Sequence, residues 1–179
     1  MFKISLTGDL GSGKSTVCDL IQQQIEVERV SVGKIMRARA KSLGLTLEEF
    51  SAYMEAHPEE DKFLDDALKE YENKQGDFIF DSRLAWYFVP SAFSFYLTVT
   101  IDESARRIFN AQRDDESFSS IEITKQKIID RRASEQKRYQ DFYGINILDM
   151  SNYDAVISTD NKTPQQVVNE IFEIYNKRR

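Results

Sequence analysis

The chain has 179 residues, of which 41% are hydrophobic, with one cysteine and a formal net charge of −6. This length and composition predict one domain with enough apolar residues for a core; the single cysteine excludes an internal disulfide framework and is typical of a reducing cytoplasm. The acidic balance argues against nonspecific nucleic-acid binding, and no apolar stretch has the length of a membrane span. We therefore expect a monomeric, cytoplasmic protein that binds small molecules.

The first strand–loop–helix unit contains the most informative motif. A strand is predicted at 2–7 and a helix from Lys14 to about 28. Between them, one run fits the pattern G-x-x-x-x-G-K-[ST] of a phosphate-binding loop. Its backbone N–H groups are expected to surround a nucleoside triphosphate, Lys14 to reach the β- and γ-phosphates, and Ser15 to ligate Mg²⁺. The predicted ATP-binding run is Gly8, Asp9, Leu10, Gly11, Ser12, Gly13, Lys14, Ser15 and Thr16. A tight turn that is glycine-rich by chance is the alternative, which the flanking elements disfavour.

The next segment is predicted to be helical and acidic. A short strand at 29–32 is broken by Gly33, and a helix follows from about 34 to 43. Thr46 begins a further helix, with Glu49 in the capping-box position, and this helix ends near His57-Pro58. Another helix is predicted at 59–74.

Strands and helices alternate in the second half. Strands are predicted at 77–81, 93–101 and 154–158, and helices at 103–112, at 121–142 and from Thr163-Pro164 onward. This alternation predicts a parallel sheet with helices on both faces. Ligands of such sheets bind beyond the carboxyl ends of the strands. The residues expected at that edge are Gly8, Ser31, Asp81, Asp102 and Thr159.

Several local patterns support a family resemblance. They are the phosphate-binding loop, the segment Val30-Ser31-Val32-Gly33-Lys34-Ile35-Met36-Arg37, the strand end Ile79-Phe80-Asp81-Ser82-Arg83-Leu84-Ala85, the run Arg131-Arg132-Ala133-Ser134-Glu135-Gln136-Lys137-Arg138-Tyr139 and the stretch from Tyr143-Gly144-Ile145 to Tyr153-Asp154-Ala155-Val156-Ile157. In this order and spacing the chain resembles the cytidylate kinases, in particular the short, archaeal-type branch of these P-loop nucleoside monophosphate kinases. The resemblance extends over nearly the whole chain.

The resemblance implies an α/β, three-layer P-loop NTPase fold with a five-stranded, mainly parallel sheet. It implies a single domain with a core at about 1–37, 76–112 and 139–179, a helical monophosphate-binding insertion at about 38–75 and a lid at about 113–138. The implied activity is phosphorylation of CMP or dCMP to the diphosphate, with ATP and Mg²⁺.

The resemblance also implies roles for five residues. Arg37 and Arg83 match arginines that hold the acceptor nucleotide, and Glu135 matches an acidic position near its ribose. Arg131 and Arg138 match catalytic arginines that contact the transferring phosphates. Two positions depart from the pattern, because Ser82 replaces a glycine and Val32 stands where the bacterial form has a serine. A kinase for another monophosphate or small acceptor, or a nucleotide-binding module without activity, therefore stays open.

The long basic helix has two interpretations. Arg131, Glu135 and Arg138 lie at i, i+4 and i+7 and hence on one face, which favours a shared role at phosphates. The alternative is an intrahelical Arg131–Glu135 pair that contributes about 0.3–0.5 kcal/mol. Arg132 points about 100° away and is predicted to be solvated or paired with the neighbours of Asp130.

Further side chains are left with two interpretations each. Asp81 either orients Mg²⁺ through water or caps the next turn. Arg107 and Arg113 frame the predicted lid and are expected to pack on the base of ATP or bind its phosphates. Asp61 and Asp65 lie four residues apart on one helix face, where they accept hydrogen bonds from a cytosine amino group or are simply solvated.

Overall fold

Five strands form one sheet in a computed structural model, which describes residues 1–111 and 119–178. The strand order is β2-β3-β1-β4-β5, and all four neighbouring pairs are parallel. The predicted parallel α/β sheet is therefore confirmed. The strands are β1 (Lys3–Gly8), β2 (Glu28–Ser31), β3 (Phe78–Asp81), β4 (Phe93–Thr98) and β5 (Ala155–Ser158).

Eight α-helices are described alongside the sheet. Thr46 and Thr163 each close a capping box at a helix start, as the sequence predicts for Thr46. None of the helices in the described part of the chain combines the length and hydrophobicity of a membrane-spanning segment. The helices are α1 (Lys14–Gln24), α2 (Val32–Ser42), α3 (Leu47–Ala56), α4 (Pro58–Lys69), α5 (Ala85–Phe88), α6 (Ile101–Ala111), α7 (Ile121–Tyr143) and α8 (Pro164–Lys177), with a 3₁₀ turn at Met150–Asn152.

Several element boundaries differ from the predictions. Helix α1 ends at Gln24, four residues early, because the chain must turn to pair β2 with β3 from Glu28. Gly33 lies inside the first turn of α2 and does not precede it, because the Ser31 hydroxyl caps the helix by accepting from the backbone N–H of Lys34.

Two further boundaries differ in the same way. Strand β4 ends at Thr98, three residues short of the prediction, because α6 begins at Ile101. Asp102 therefore lies in the first turn of a helix and not at a strand end. Helix α4 ends at Lys69 rather than near 74.

The core of the described chain is built from several clusters of buried side chains. The sheet packs on α1 and α8 through fully buried side chains that include Leu6, Phe95 and Ile171. Cys18, in α1, belongs to this core with no exposed surface. Helices α2, α3 and α4 bury a smaller cluster of their own: Ala40, Phe50, Met54 and Leu64. Helices α3 and α4 and the end of α2 lie in the segment, about 38–75, where the sequence predicts the insertion.

Candidate active site

The phosphate-binding loop is fixed by its glycines and by β4. A Cβ on Gly8 would lie 2.5 Å from the carbonyl oxygen of Leu97, so no larger residue fits without moving backbone. The N–H of Asp9 donates to the same oxygen at 2.9 Å. Gly13 has φ +86° and is the N-cap of α1. This conformation places the unpaired N–H groups at the start of α1 on the loop, where they can bind an anion.

Two cations meet at the carbonyl oxygen of Gly8. The ammonium of Lys14, which is half-buried, lies 3.4 Å from that oxygen, and a guanidinium N–H of Arg83 donates to it as well. Burial, and after it the positive charge of Arg83, lowers the pKa of Lys14 to about 8. A phosphate bound between the two cations would relieve this repulsion.

Glu135 joins Arg83 to the long helix. The carboxylate of Glu135 lies 2.8 Å from Nε of Arg83 and 3.2 Å from Nε of Arg131. Burial opposes its charge, yet the neighbouring Arg83, Arg131 and Arg138 hold the pKa of Glu135 below its usual range. The intrahelical Arg131–Glu135 pair is therefore present, and the same carboxylate also reaches across to the end of β3. An intrahelical Arg131–Glu135 pair is therefore compatible with a shared role of this face at phosphates.

Arg132 is exposed, as predicted, but its partner is not a neighbour of Asp130. Its guanidinium lies 3.0 Å from Oδ1 of Asp9 in the phosphate-binding loop. The Asp9 carboxylate also accepts from the hydroxyl of Tyr96 at 2.8 Å and from the N–H of Val99 at 3.1 Å. Asp9 thus ties the loop to both β4 and α7. The sequence pattern missed this contact because Asp9 fills a position of the motif that has no specified residue type.

Arg37 of α2 lines the same pocket as the loop. Among the described residues, no carboxylate lies within ion-pair distance of its guanidinium. Arg39, two residues further along, donates instead to Glu60 at 2.7 Å. Arg37 therefore stays available for a phosphate, while Arg39 serves the packing of α2 against α4.

Two aspartates of α4 are buried, so the prediction of solvated carboxylates is wrong. Asp61 and Asp65 are 6% and 7% exposed. Oδ1 of Asp61 lies 3.8 Å from Nε of Arg138, and the hydroxyl of Tyr143 donates to Asp65 at 2.7 Å. Burial raises the pKa of Asp61 against the charge of Arg138. Burial also raises the pKa of Asp65 to about 6, although the Tyr143 hydrogen bond opposes the shift.

The raised pKa of Asp65 gives a testable pH dependence. Between the unfolded value of 3.8 and the folded value of about 6, the folded state binds more protons, so this group costs stability as the pH rises. Asp65→Asn keeps an acceptor for Tyr143 without the charge. We expect the variant to be more stable than wild type at pH 8, by up to about 3 kcal/mol, and equal to it near pH 3.5. Urea unfolding across this range measures the difference; a gain that does not depend on pH would contradict the assignment.

The residues predicted to hold Mg²⁺ offer a hydroxyl and a carboxylate. Ser15 is exposed in the first turn of α1, and Asp81 ends β3. Asp81 does not cap the next turn: its Oδ2 accepts from Arg29 at 2.6 Å and from Ser31 at 3.2 Å. Among the side chains that the structure describes, no group of three or more metal-ligating residues occurs. This donor set fits Mg²⁺, which takes few protein ligands and keeps water and phosphate oxygens.

In the described part of the chain the loop lines two large clefts, besides a smaller recess at Asp9 and Leu10. The first, with about 1280 Å³ of open space, lies between the loop, α2, α4 and α7. It brings together most of the residues that the sequence analysis selected: Lys14, Ser15, Arg37, Asp61, Asp65, Asp81, Arg83, Arg131, Glu135 and Arg138. Arginines therefore converge on the loop from three separate elements.

The second cleft, with about 990 Å³ of open space, lies between the loop, α6 and the segment after β5. Arg107 lines it and donates to the carbonyl oxygens of Gly11 at 3.3 Å and Thr159 at 2.8 Å. Arg106 is exposed and paired with Glu103. Arg113, the other arginine predicted to bind ATP, lies outside the described residues.

Comparison with known proteins decides the family. A sequence model of the cytidylate kinase-like family matches residues 3–161. The chain belongs to the cytidylate kinase-like family. A cytidylate kinase of Thermoplasma volcanium is 35% identical over 185 residues, which cover 98% of this chain and 94% of that protein.

One further sequence relative and one solved structure are also similar to this chain. An S-adenosylmethionine-dependent nucleotide dehydratase of Lacinutrix mariniflava is 38% identical to this cytidylate kinase-like chain over 177 residues. The match covers 98% of the chain but only 36% of the dehydratase, so the chain spans about a third of that relative. Among solved structures, shikimate kinase from Bacteroides thetaiotaomicron superposes with a TM-score of 0.66, 16% identity and 98% coverage of both chains. This likeness shows the P-loop kinase fold.

Proposed function

We propose that the protein transfers the γ-phosphoryl group of ATP to CMP or dCMP. The observation that supports this most directly is that one phosphate-binding loop lines two clefts, of which the first gathers arginines from α2, from the end of β3 and from α7. In this proposal the loop, from Gly8 to Thr16, holds the triphosphate of ATP. The adenosine of ATP occupies the second cleft, beside Arg107. The acceptor monophosphate occupies the first cleft.

The reaction requires little covalent work from the protein. An oxygen of the acceptor phosphate forms a bond to Pγ, the bond from Pγ to the bridging oxygen of ADP breaks, and ADP leaves. Lys14, Arg131 and Arg138 supply positive charge around the transferring group, where arginine forks match phosphate oxygens bidentately. Exclusion of water between the two clefts protects ATP from hydrolysis.

The acceptor is held by other groups. In the proposal Arg37 and Arg83 bind its phosphate and a ribose hydroxyl donates to Glu135; all three residues line the first cleft. Ser15, with Asp81 acting through water, would hold Mg²⁺. The ion, when bound, neutralises charge on the β- and γ-phosphate oxygens.

The named relatives support a nucleotide as the acceptor. One is a cytidylate kinase, and the dehydratase also acts on a nucleotide by its name. The chain covers only 36% of the dehydratase. We therefore propose no reaction for this chain other than phosphoryl transfer.

An acceptor panel tests the proposal. The protein is supplied with ATP and Mg²⁺ and, in turn, CMP, dCMP, UMP, AMP, GMP and shikimate, and the products are separated by chromatography. We expect CDP and dCDP to form with one ADP each. A product from a different acceptor would favour another small-molecule kinase; ATP binding without product from any acceptor would favour a nucleotide-binding module.

A further inference from the structure

Helix α7 is attached beside the start of the phosphate-binding loop at two points. One is the Glu135–Arg83 pair, whose arginine also donates to the carbonyl oxygen of Gly8. The other is the ion pair of Arg132 with Asp9, the residue that follows Gly8. One contact leaves a helix free to pivot, whereas two contacts from side chains three residues apart fix both its distance and its rotation. The Asp9–Arg132 pair is therefore the second fixed point of α7.

Bound substrates affect these two points differently. In the proposed function, Glu135 and Arg83 both bind the acceptor nucleotide, so the acceptor competes with the first contact for both of its side chains. Arg132 lines the recess at Asp9 and Leu10, and within the described structure it does not line the first cleft. The contact of Arg132 with Asp9 is thus the one that can persist through the reaction.

The carboxylate of Asp9 is held in place for this contact. Its side chain is 11% exposed, and it accepts hydrogen bonds from the hydroxyl of Tyr96 and the N–H of Val99. Negative charge in a loop that binds phosphate opposes the binding. Arg132 offsets that charge at 3.0 Å. The loop therefore carries a fixed carboxylate whose charge is balanced from α7.

We propose that the Asp9–Arg132 ion pair docks α7 on the phosphate-binding loop and so aligns Arg131 and Arg138 with the transferring phosphoryl group. The inference rests on the proposed function, in which those two arginines act at that group. Both line the first cleft and both lie on α7, so a shift or rotation of the helix moves them together. Asp9 and Arg132 are positioning residues, and misalignment of the groups they position costs rate more than substrate affinity.

Steady-state kinetics of a double-mutant cycle test the alignment. The set is wild type, Asp9→Asn, Arg132→Gln and the double variant; the amide oxygen of the new Asn keeps an acceptor for both hydrogen-bond donors. We expect each single substitution to lower kcat about tenfold, and the double variant to fall no further, because either change removes the whole ion pair. The KM for CMP should stay within about twofold of the wild-type value.

The same helix offers a matched control. Lys125 lies seven residues before Arg132, on the same face of α7, and pairs with Asp102 of α6 instead of the loop. Lys125→Met therefore removes an ion pair between α7 and a neighbouring element without touching the loop. This variant should keep the wild-type kcat.

A rescue separates loss of the ion pair from a general loss of structure. Arg132→Gln leaves the charge of Asp9 beside the triphosphate without its partner, so the KM for ATP should rise about threefold. Adding Asp9→Asn removes that charge. The double variant should therefore regain the wild-type KM for ATP but not the wild-type kcat.

Hydrogen exchange of α7 gives a measurement that needs no turnover. With Mg²⁺ and a non-hydrolysable ATP analogue bound, we expect the backbone amides of residues 128–138 to exchange about threefold faster in both single variants and in the double variant. Lys125→Met should leave the exchange of this stretch at the wild-type rate.

Three results would overturn the inference. One is an unchanged kcat in Asp9→Asn. Another is a pair of kcat losses that multiply in the double variant, to about a hundredfold, because the two residues would then act separately. The third is unchanged exchange of residues 128–138 in Asp9→Asn. Absence of CDP formation by wild type contradicts the proposed function, while the exchange rates still decide whether the ion pair docks α7.

Discussion

Replacing Lys14 by methionine is expected to abolish phosphoryl transfer to CMP, to keep the fold and to raise the stability of the unliganded protein. The ammonium is the loop's own cation at the β- and γ-phosphates, so its loss should lower kcat at least about a thousandfold. In the unliganded protein the same charge is unfavourable, because burial and Arg83 lower the pKa of Lys14 from 10.5 to about 8.

The sign of the stability effect follows from this pKa. The unfolded chain binds the proton more tightly, so the penalty is complete below pH 8 and fades as the pH rises toward 10.5. Urea unfolding of wild type and Lys14→Met should therefore differ most near pH 7 and converge at high pH. Lys62→Met, which removes an exposed lysine, serves as the control and should change neither property. Full activity in Lys14→Met would contradict the assigned role.

Replacing Arg37 by alanine is expected to lower kcat/KM for CMP by about 10²–10³-fold, mainly through a higher KM. Arg37 lines the first cleft with no carboxylate in ion-pair distance among the described residues, so its charge is available to the acceptor phosphate. The KM for ATP should stay near the wild-type value, because the loop holds the triphosphate. Steady-state kinetics with each substrate varied in turn measure both constants.

The same helix offers a matched control. Arg39→Ala removes an arginine two residues away, but leaves the buried carboxylate of Glu60 without its partner. This variant should lose some stability, while its KM for CMP is unchanged. If Arg39→Ala raised the KM as much as Arg37→Ala, the effect would come from displacement of α2 and not from a phosphate contact.

The phosphate-binding loop and the parallel sheet can be predicted from local sequence. The loop is one continuous run whose glycines are required by the turn itself, at Gly8 by close approach to β4 and at Gly13 by a positive φ. The parallel sheet follows from alternation of strands and helices, and its edge collects Gly8, Asp81 and Thr159. The predicted ends of α1 and β4 are wrong. Helix α1 stops early because the chain turns into β2, and β4 stops early because α6 begins at Ile101.

Contacts between distant segments are where sequence reasoning fails. Helical spacing placed Arg132 on a different face of α7 from Arg131. Which residue contacts Arg132 depends on how α7 packs over the phosphate-binding loop. The sequence therefore did not predict its ion pair with Asp9. Helical spacing likewise placed Asp61 and Asp65 together on α4. Only the packing of α4 against α7 shows that both are buried and that Tyr143 engages one of them.

A bisubstrate analogue tests the central claim, that one loop serves a donor and an acceptor nucleotide in adjoining clefts. Adenosine and cytidine joined through five phosphates would fill both clefts and bind far more tightly than either nucleotide alone. Initial rates of ADP formation, measured with ATP and then CMP as the varied substrate, should show competitive inhibition against both and one analogue bound per chain. Competition with ATP alone would contradict the account, because the first cleft would then not be the acceptor site.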